Sequence, residues 1–261
     1  MHIVSVILVA LAGLFYCAAA LVRWRQMAVS DDRRFAHVLL YVGLALHSVS
    51  LGISLLVPGH QSFAYGVLAV WAAVAALFFA SRYLASPSRT ILVLPVGGMA
   101  LLVAMSSLAS PSQAEPVVDL KWITQLHIGF MAMHLAVMLV AGSAGGMYLT
   151  AARQLKSPSP RALRLPSLPV LERLTERGLV IATALLLGGL ATGGAAMQLS
   201  RIVNLAQPSI ILALLTMILL IVALALRATN HLNRRGIAVA AVAAMLIAAL
   251  GSFSQLVVTH G

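Results

Sequence analysis

The chain has 261 residues, 61% of them hydrophobic and only 9% charged, with a formal net charge of +11. A soluble domain uses roughly 45–50% apolar and ~25% charged residues, so the solvent for most of this chain is lipid, and the positive charge is an orientation signal and not a nucleic-acid footprint. The only cysteine, Cys17, lies in the first apolar run, which excludes an internal disulfide, a CxxC redox pair and a CxxCH attachment site.

Crossing a hydrocarbon core of ~30 Å takes about 20 helical residues, and in lipid each segment must close its backbone hydrogen bonds internally. Eight runs qualify, predicting an all-α polytopic bundle in a single transmembrane domain over 1–261, with spans at approximately 2–22, 36–57, 64–84, 90–109, 124–150, 177–199, 207–227 and 236–259. The first run has the length of a signal peptide, yet no Lys or Arg precedes it and Arg23 and Arg25 follow it, so it is read as a retained span.

The connectors alternate in charge along the chain. Arg23, Arg25, Arg33 and Arg34 follow the first span and no cation follows the second; Arg82 and Arg89 follow the third and Lys121 the fourth. Six cations from Arg153 to Arg177 come next, then Arg201 alone, then Arg227, Arg234 and Arg235. By the positive-inside rule the basic connectors are cytoplasmic, which predicts N-out and C-out termini in a cell inner (cytoplasmic) membrane. In the longest connector, a Pro-rich stretch leads into VLERLTERGL, and the segment 169–177 reads equally as a short amphipathic helix on the cytoplasmic surface or as a basic linker entering the sixth span.

All six acidic residues and all 17 Lys and Arg fall in connectors or at the ends of the approximate spans. Proton-coupled transporters and charged-ring channels place Asp, Glu or Lys at depth, so this pattern argues against both. Neither HExxH nor GxSxG occurs. What remains at depth is histidine. His47 in the second span and His134 in the fifth each sit ten residues from the outer end of their predicted helix, roughly 15 Å below the surface at ~1.5 Å per residue. His2, His60, His127 and His260 map to the outer face, and His37 and His231 to the cytoplasmic one.

His127 and His134 are seven apart, on one face of one helix, with Met131 and Met138 on the same stripe. Neutral imidazole is an axial ligand of haem iron, and an apolar bundle accommodates a porphyrin. The candidate ligands on this chemistry are His47 and His134 at depth, while His2 and His60 read as polar interface residues and His127 and His260 stay open between the two roles; one or two haem b would be held, with Arg201, Lys121 and Trp122 on the side suited to the propionates. The same histidines also serve as interhelical hydrogen-bond donors in many bundles, and the two methionines serve as packing residues.

The stretch WITQLHIGFMAMHLAVMLVAGSAGGMYLTAARQLKS, followed by LPSLPVLERLTERGLVIATALLLGGLATG, resembles the cytochrome c assembly membrane family, the CcsA and HemX-like proteins. The likeness extends upstream through ALHSVSLGISLLVPGHQSFAYGVLAVW and downstream to the C-terminus. It implies eight spans with both ends outside. It also implies that His127, in QLHIGFMAMH, and His260, in QLVVTHG, flank a haem, while His47 matches a second-helix histidine of the HemX-like branch. The tryptophan-rich outer motif of the haem-presenting members is replaced here by SRIVNLAQP, and Ala225 stands where a histidine is expected, so the chain reads as a divergent member.

Three functions follow as expectations: haem handling in cytochrome c assembly; a non-enzymatic assembly factor or haem-synthesis regulator docking through Arg153 to Arg177; and a haem b electron-transfer subunit of a respiratory complex. Each involves handling or scaffolding in place of turnover chemistry, with lipid, haem and other membrane subunits or a cytochrome c maturation partner as the contacts and no nucleic acid.

Overall fold

A computed structural model of the chain describes residues 2–29, 34–56, 64, 66–68, 70–75, 94–109, 121–156, 165–200 and 207–258. The described elements are all helices: α1 (His2–Val29), α2 (Arg34–Leu56), α3 (Gly66–Ala75), α4 (Leu94–Ala109), α5 (Lys121–Lys156), α6 (Leu168–Ser200), α7 (Pro208–Ala228) and α8 (Arg234–Val258). Six of them, α1, α2 and α5 through α8, are long and apolar enough to cross a membrane. The chain is a multi-pass helical membrane protein. Helices α3 and α4 fall inside the third and fourth predicted spans, and residues 76–84 and 90–93 of those spans lie outside the described residues.

Helices α5 and α6 run for 36 and 33 residues, well beyond the length that a ~30 Å core requires. The 169–177 segment is helical and forms the opening turns of α6 itself, continuous with the span.

Lipid inverts the usual amphipathic logic, because large aliphatic side chains gain nothing by leaving it and helices associate through small and polar residues. Helix α2 illustrates this. Its buried residues Ala36, Leu40, Gly43, His47, Ser50 and Ser54 recur at alternating steps of four and three, a heptad seam, while Phe35, Val38, Val49 and Leu55 are exposed. The seam lies on α1, where Ser5 Oγ sits 2.7 Å from Ser50 Oγ and 2.6 Å from Ser54 Oγ, and Ser50 Oγ donates to the Ser5 carbonyl at 2.8 Å. Elsewhere Ser143, Thr150, Thr175, Thr183 and Thr216 donate to the carbonyl four residues back, which satisfies each hydroxyl within its own helix.

Helix α1 also packs along α4, and α5 lies between α6 and α8, with α7 against α8. A Cβ on Gly145 would stand 2.8 Å from the Ala238 carbonyl oxygen of α8, so the α5–α8 approach is backbone to backbone. One buried cluster joins α1, α3, α4 and α5 around Tyr16, Val67, Val96 and Leu139. A second joins α5 through α8 around Met138, Leu186, Leu220 and Ala241.

The α7–α8 connection is tight. Asn230 takes a left-handed conformation at φ 58°, and the His231 and Asn230 N–H groups donate back to the Leu226 and Arg227 carbonyls at 2.8 and 3.1 Å, the double bond of a Schellman motif. Asn233 then caps α8, its Oδ1 accepting from the Gly236 N–H at 2.8 Å.

Candidate functional site

The two histidines of α5 are held in the same way. Nδ1 of His127 lies 2.7 Å from the Gly189 carbonyl oxygen and Nδ1 of His134 lies 2.9 Å from that of Ala182, both on α6. The two acceptors are seven residues apart in one direction as the two donors are in the other, so one antiparallel register generates both contacts two turns apart. A carbonyl can only accept, so each Nδ1 carries the proton and, in the neutral ring, each Nε2 holds the lone pair. Neither Nε2 makes a hydrogen bond among the described residues.

Helix α6 opens space for the His127 ring and for Met131 with glycine. A Cβ on Gly193 would stand 2.8 Å from His127 Cε1, and one on Gly189 would stand 2.6 Å from Met131 Sδ. His134 is buried, and Met138, one turn on, is fully buried in the core shared by α5 through α8. Met138 is thus a packing residue, while Met131 packs at the edge of the same core.

His47 is held differently. Its Nε2 donates to the Val67 carbonyl of α3 at 3.1 Å, and its Nδ1 accepts from the Tyr16 hydroxyl of α1 at 3.2 Å. Both ring nitrogens are engaged, the side chain is completely buried, and the Tyr16 ring lies 5.9 Å away, centroid to centroid. Alongside it, Trp71 Nε1 donates to Ser48 Oγ at 3.0 Å. His47 is the hub that ties α1, α2 and α3 together, whereas His134 belongs to the α5–α6 contact.

The other sequence-selected residues scatter. Trp122 opens α5 with two-thirds of its surface exposed, and Lys121 precedes it in the same helix. His2 begins α1. His260, Arg201 and His60 lie outside the described residues. His37 stacks on Tyr41, and His231 Nδ1 donates to the Thr229 carbonyl in the α7–α8 turn. Among the described residues no group of three or more His, Cys, Asp or Glu gathers to hold a metal ion.

Two constellations went unread in the sequence. The Ser5–Ser50–Ser54 cluster had a signal in the heptad spacing of α2. The other lies at the arginine-rich end of the bundle, where Glu172 accepts from Arg227 Nη2 and from Arg234 Nε, each at 3.0 Å, and Glu176 pairs with Arg227 Nε. Its local signal was the four-residue spacing of Glu172 and Glu176, which places both on one face of α6.

Compared with known protein families, characterised proteins and solved structures, the chain matches none of them. The chemistry of the site therefore rests on its donor set. A metal-bound histidine characteristically donates its other ring N–H to a carbonyl or carboxylate, which fixes the tautomer and aims the ligating nitrogen. His127 and His134 have that arrangement; His47 does not, because an iron would first have to displace Tyr16 or Val67.

Proposed function

We propose that the chain is a haem b-binding membrane protein of the cytochrome c assembly type, with α5 supplying the protein ligands. The observation that carries this reading is the paired Nδ1–H bonds of His127 and His134 to α6 carbonyls, which leave two Nε2 lone pairs on one helix face. Seven residues separate them by roughly 10 Å along the axis, so each would serve a different haem, and each iron would take its second ligand from another segment. For the outer level that ligand is His260, by the family resemblance; His47 acts as a structural tie. Bound haem would supply one-electron redox chemistry or a transferable cofactor, and the chain's own part is to orient the imidazoles and exclude water.

The reading includes eight spans, with α3 and α4 as the third and fourth, and both termini on the non-cytoplasmic side of the inner membrane. Its support is the alternation of basic and nearly cation-free connectors. Alkaline phosphatase fusions after residues 29, 156 and 230 should all be inactive and a fusion at the C-terminus active; activity at any of the first three would overturn the orientation.

The test of haem binding is a visible spectrum with a pyridine haemochrome assay on purified protein, for wild type and for His127→Ala, His134→Ala, His260→Ala and His47→Ala. A Soret band is expected in wild type, reduced by the first three substitutions, with added imidazole restoring His127→Ala. His47→Ala should lower stability but keep the haem content per folded protein. Wild type without a Soret band after haem supplementation would sink the reading.

One observation favours a second function, an assembly factor without haem. The histidine-to-carbonyl bonds of α5 also join helices, as those of His47 do, and Arg173 and Arg177 on α6 are exposed at the basic end, ready for an acidic partner. In that case no spectrum appears and His134→Ala only destabilises. An electron-transfer subunit shares the first reading's ligands and is separated from it by reversible redox titration in a purified complex.

A further inference from the structure

The α7–α8 hairpin leaves a groove of about 520 Å³ along its length. Leu219, Val222 and Leu226 form its α7 wall, and Val239 and Ala243 form its α8 wall. Small residues at Ala223, Gly236 and Ala240 make it concave. Val222 and Val239 are about half exposed, at 47% and 50%. Both walls belong to helices long and apolar enough to cross a membrane, so the groove opens on hydrocarbon.

Arg235 stands at one end of this apolar channel. Its neighbours are engaged by carboxylates, Arg227 by Glu172 and Glu176, and Arg234 by Glu172. Arg235 is exposed and makes no ion pair or hydrogen bond among the described residues. The cation therefore stands beside the tight α7–α8 turn, at the end of an apolar slot roughly 10 Å long over seven residues.

We propose that this groove binds an anionic diacyl phospholipid, with one acyl chain between the α7 and α8 walls and the phosphate on the Arg235 guanidinium. Charge complementarity selects this occupant. A planar guanidinium matches phosphate oxygens in a two-pronged fork, and basic pockets between transmembrane helices are suited to anionic headgroups. A transmembrane helix of a partner in the same groove would match the Arg235 charge only if it carried a carboxylate at that level, whereas every anionic phospholipid carries its phosphate there.

The experiment uses full-length protein in mild detergent, delipidated and then offered phosphatidylglycerol or phosphatidylcholine of matched chains, with bound lipid counted by native mass spectrometry. Wild type should hold one phosphatidylglycerol in preference to phosphatidylcholine by roughly fivefold, the scale of one cation at an anionic lipid surface. Arg235→Gln should bring the two lipids level, while Arg173→Gln, an exposed cation on α6, should keep the preference. Ala243→Trp, which fills the groove, should lose both lipids. If it fails to fold by circular dichroism, the exposed Val239→Asn takes its place, with the same result expected. Equal retention of both lipids by wild type would overturn the site. So would a preference that survives Arg235→Gln, equal loss in Arg173→Gln, or release of a bound polypeptide by Ala243→Trp with lipid retention unchanged. None of these outcomes depends on haem.

Discussion

Replacing Glu172 with Gln removes a carboxylate that two arginines, Arg227 and Arg234, share at the basic end of the bundle. The Glu172 side chain is 10% exposed, Arg227 is 29% exposed and Arg234 is 63% exposed. The Arg234 bond therefore lies in the range of surface pairs, about 0–1 kcal/mol. The Arg227 bond is better shielded, and a hydrogen bond to a charged group is typically worth about 1.5–3 kcal/mol. Gln keeps an acceptor oxygen but not the charge, which puts the expected loss at about 2 kcal/mol, near a thirtyfold shift in the folding equilibrium. Reversible unfolding in mixed dodecylmaltoside and dodecyl sulfate micelles, followed by far-ultraviolet circular dichroism, measures it. Arg234→Gln should cost less than ~1 kcal/mol on the same scale. The double cycle of Glu172→Gln with Arg227→Gln should return most of the Glu172 loss as coupling, because Arg227 retains Glu176 when Glu172 is gone. If Glu172→Gln unfolds within ~0.5 kcal/mol of wild type, or if Arg234→Gln costs more than Glu172→Gln, the assignment of burial and partners at this end is wrong.

Tyr16→Phe removes the hydrogen bond to His47 Nδ1 with no change of packing volume, and should cost about 0.6–1.7 kcal/mol, the range of interhelical hydrogen bonds in bilayers; the spectrum of any bound haem should not change. Gly145→Ala places a methyl group 2.8 Å from the Ala238 carbonyl oxygen, a backbone atom that cannot swing aside, so a loss of about 1–3 kcal/mol from overpacking is expected in the same unfolding assay. Gly98→Ala, where a Cβ meets nothing within 4 Å, should be neutral or slightly stabilising, and a loss equal to that of Gly145→Ala would show that the two helix contacts are not distinguished by close approach.

The helical membrane bundle was legible because apolar length dominates everything else in lipid, and six of the described helices are long and apolar enough to cross it. The continuity of 169–177 with the rest of α6 was not, since Glu172 and Glu176 appear in the sequence as polar residues suited to water. Their neutralising partners, Arg227 and Arg234, lie more than fifty residues downstream, and only the fold brings them together. Within the candidate site, the seven-residue spacing of His127 and His134 was legible as a shared face of α5. Their hydrogen-bond acceptors and that of His47 were not, because the carbonyls of Val67, Ala182 and Gly189 are backbone atoms without a sequence signature. The predicted partners His260 and Arg201 lie outside the described residues.

The distinction between His47 and the α5 pair follows from how lipid treats a ring with two polar nitrogens. Each nitrogen left without a partner in hydrocarbon is costly, so a histidine buried purely for structure is stable when both are engaged, as His47 is by Tyr16 and Val67. A histidine with only Nδ1 engaged retains that cost at Nε2 unless something else meets it. Two such histidines occur in α5, in one register, against a helix whose Gly193 makes room beside the His127 ring and whose Gly189 makes room beside Met131. Packing alone accounts for the glycines and for the Nδ1 bonds. The repeated Nε2 without a hydrogen bond among the described residues is what the proposed haem reading would account for in addition.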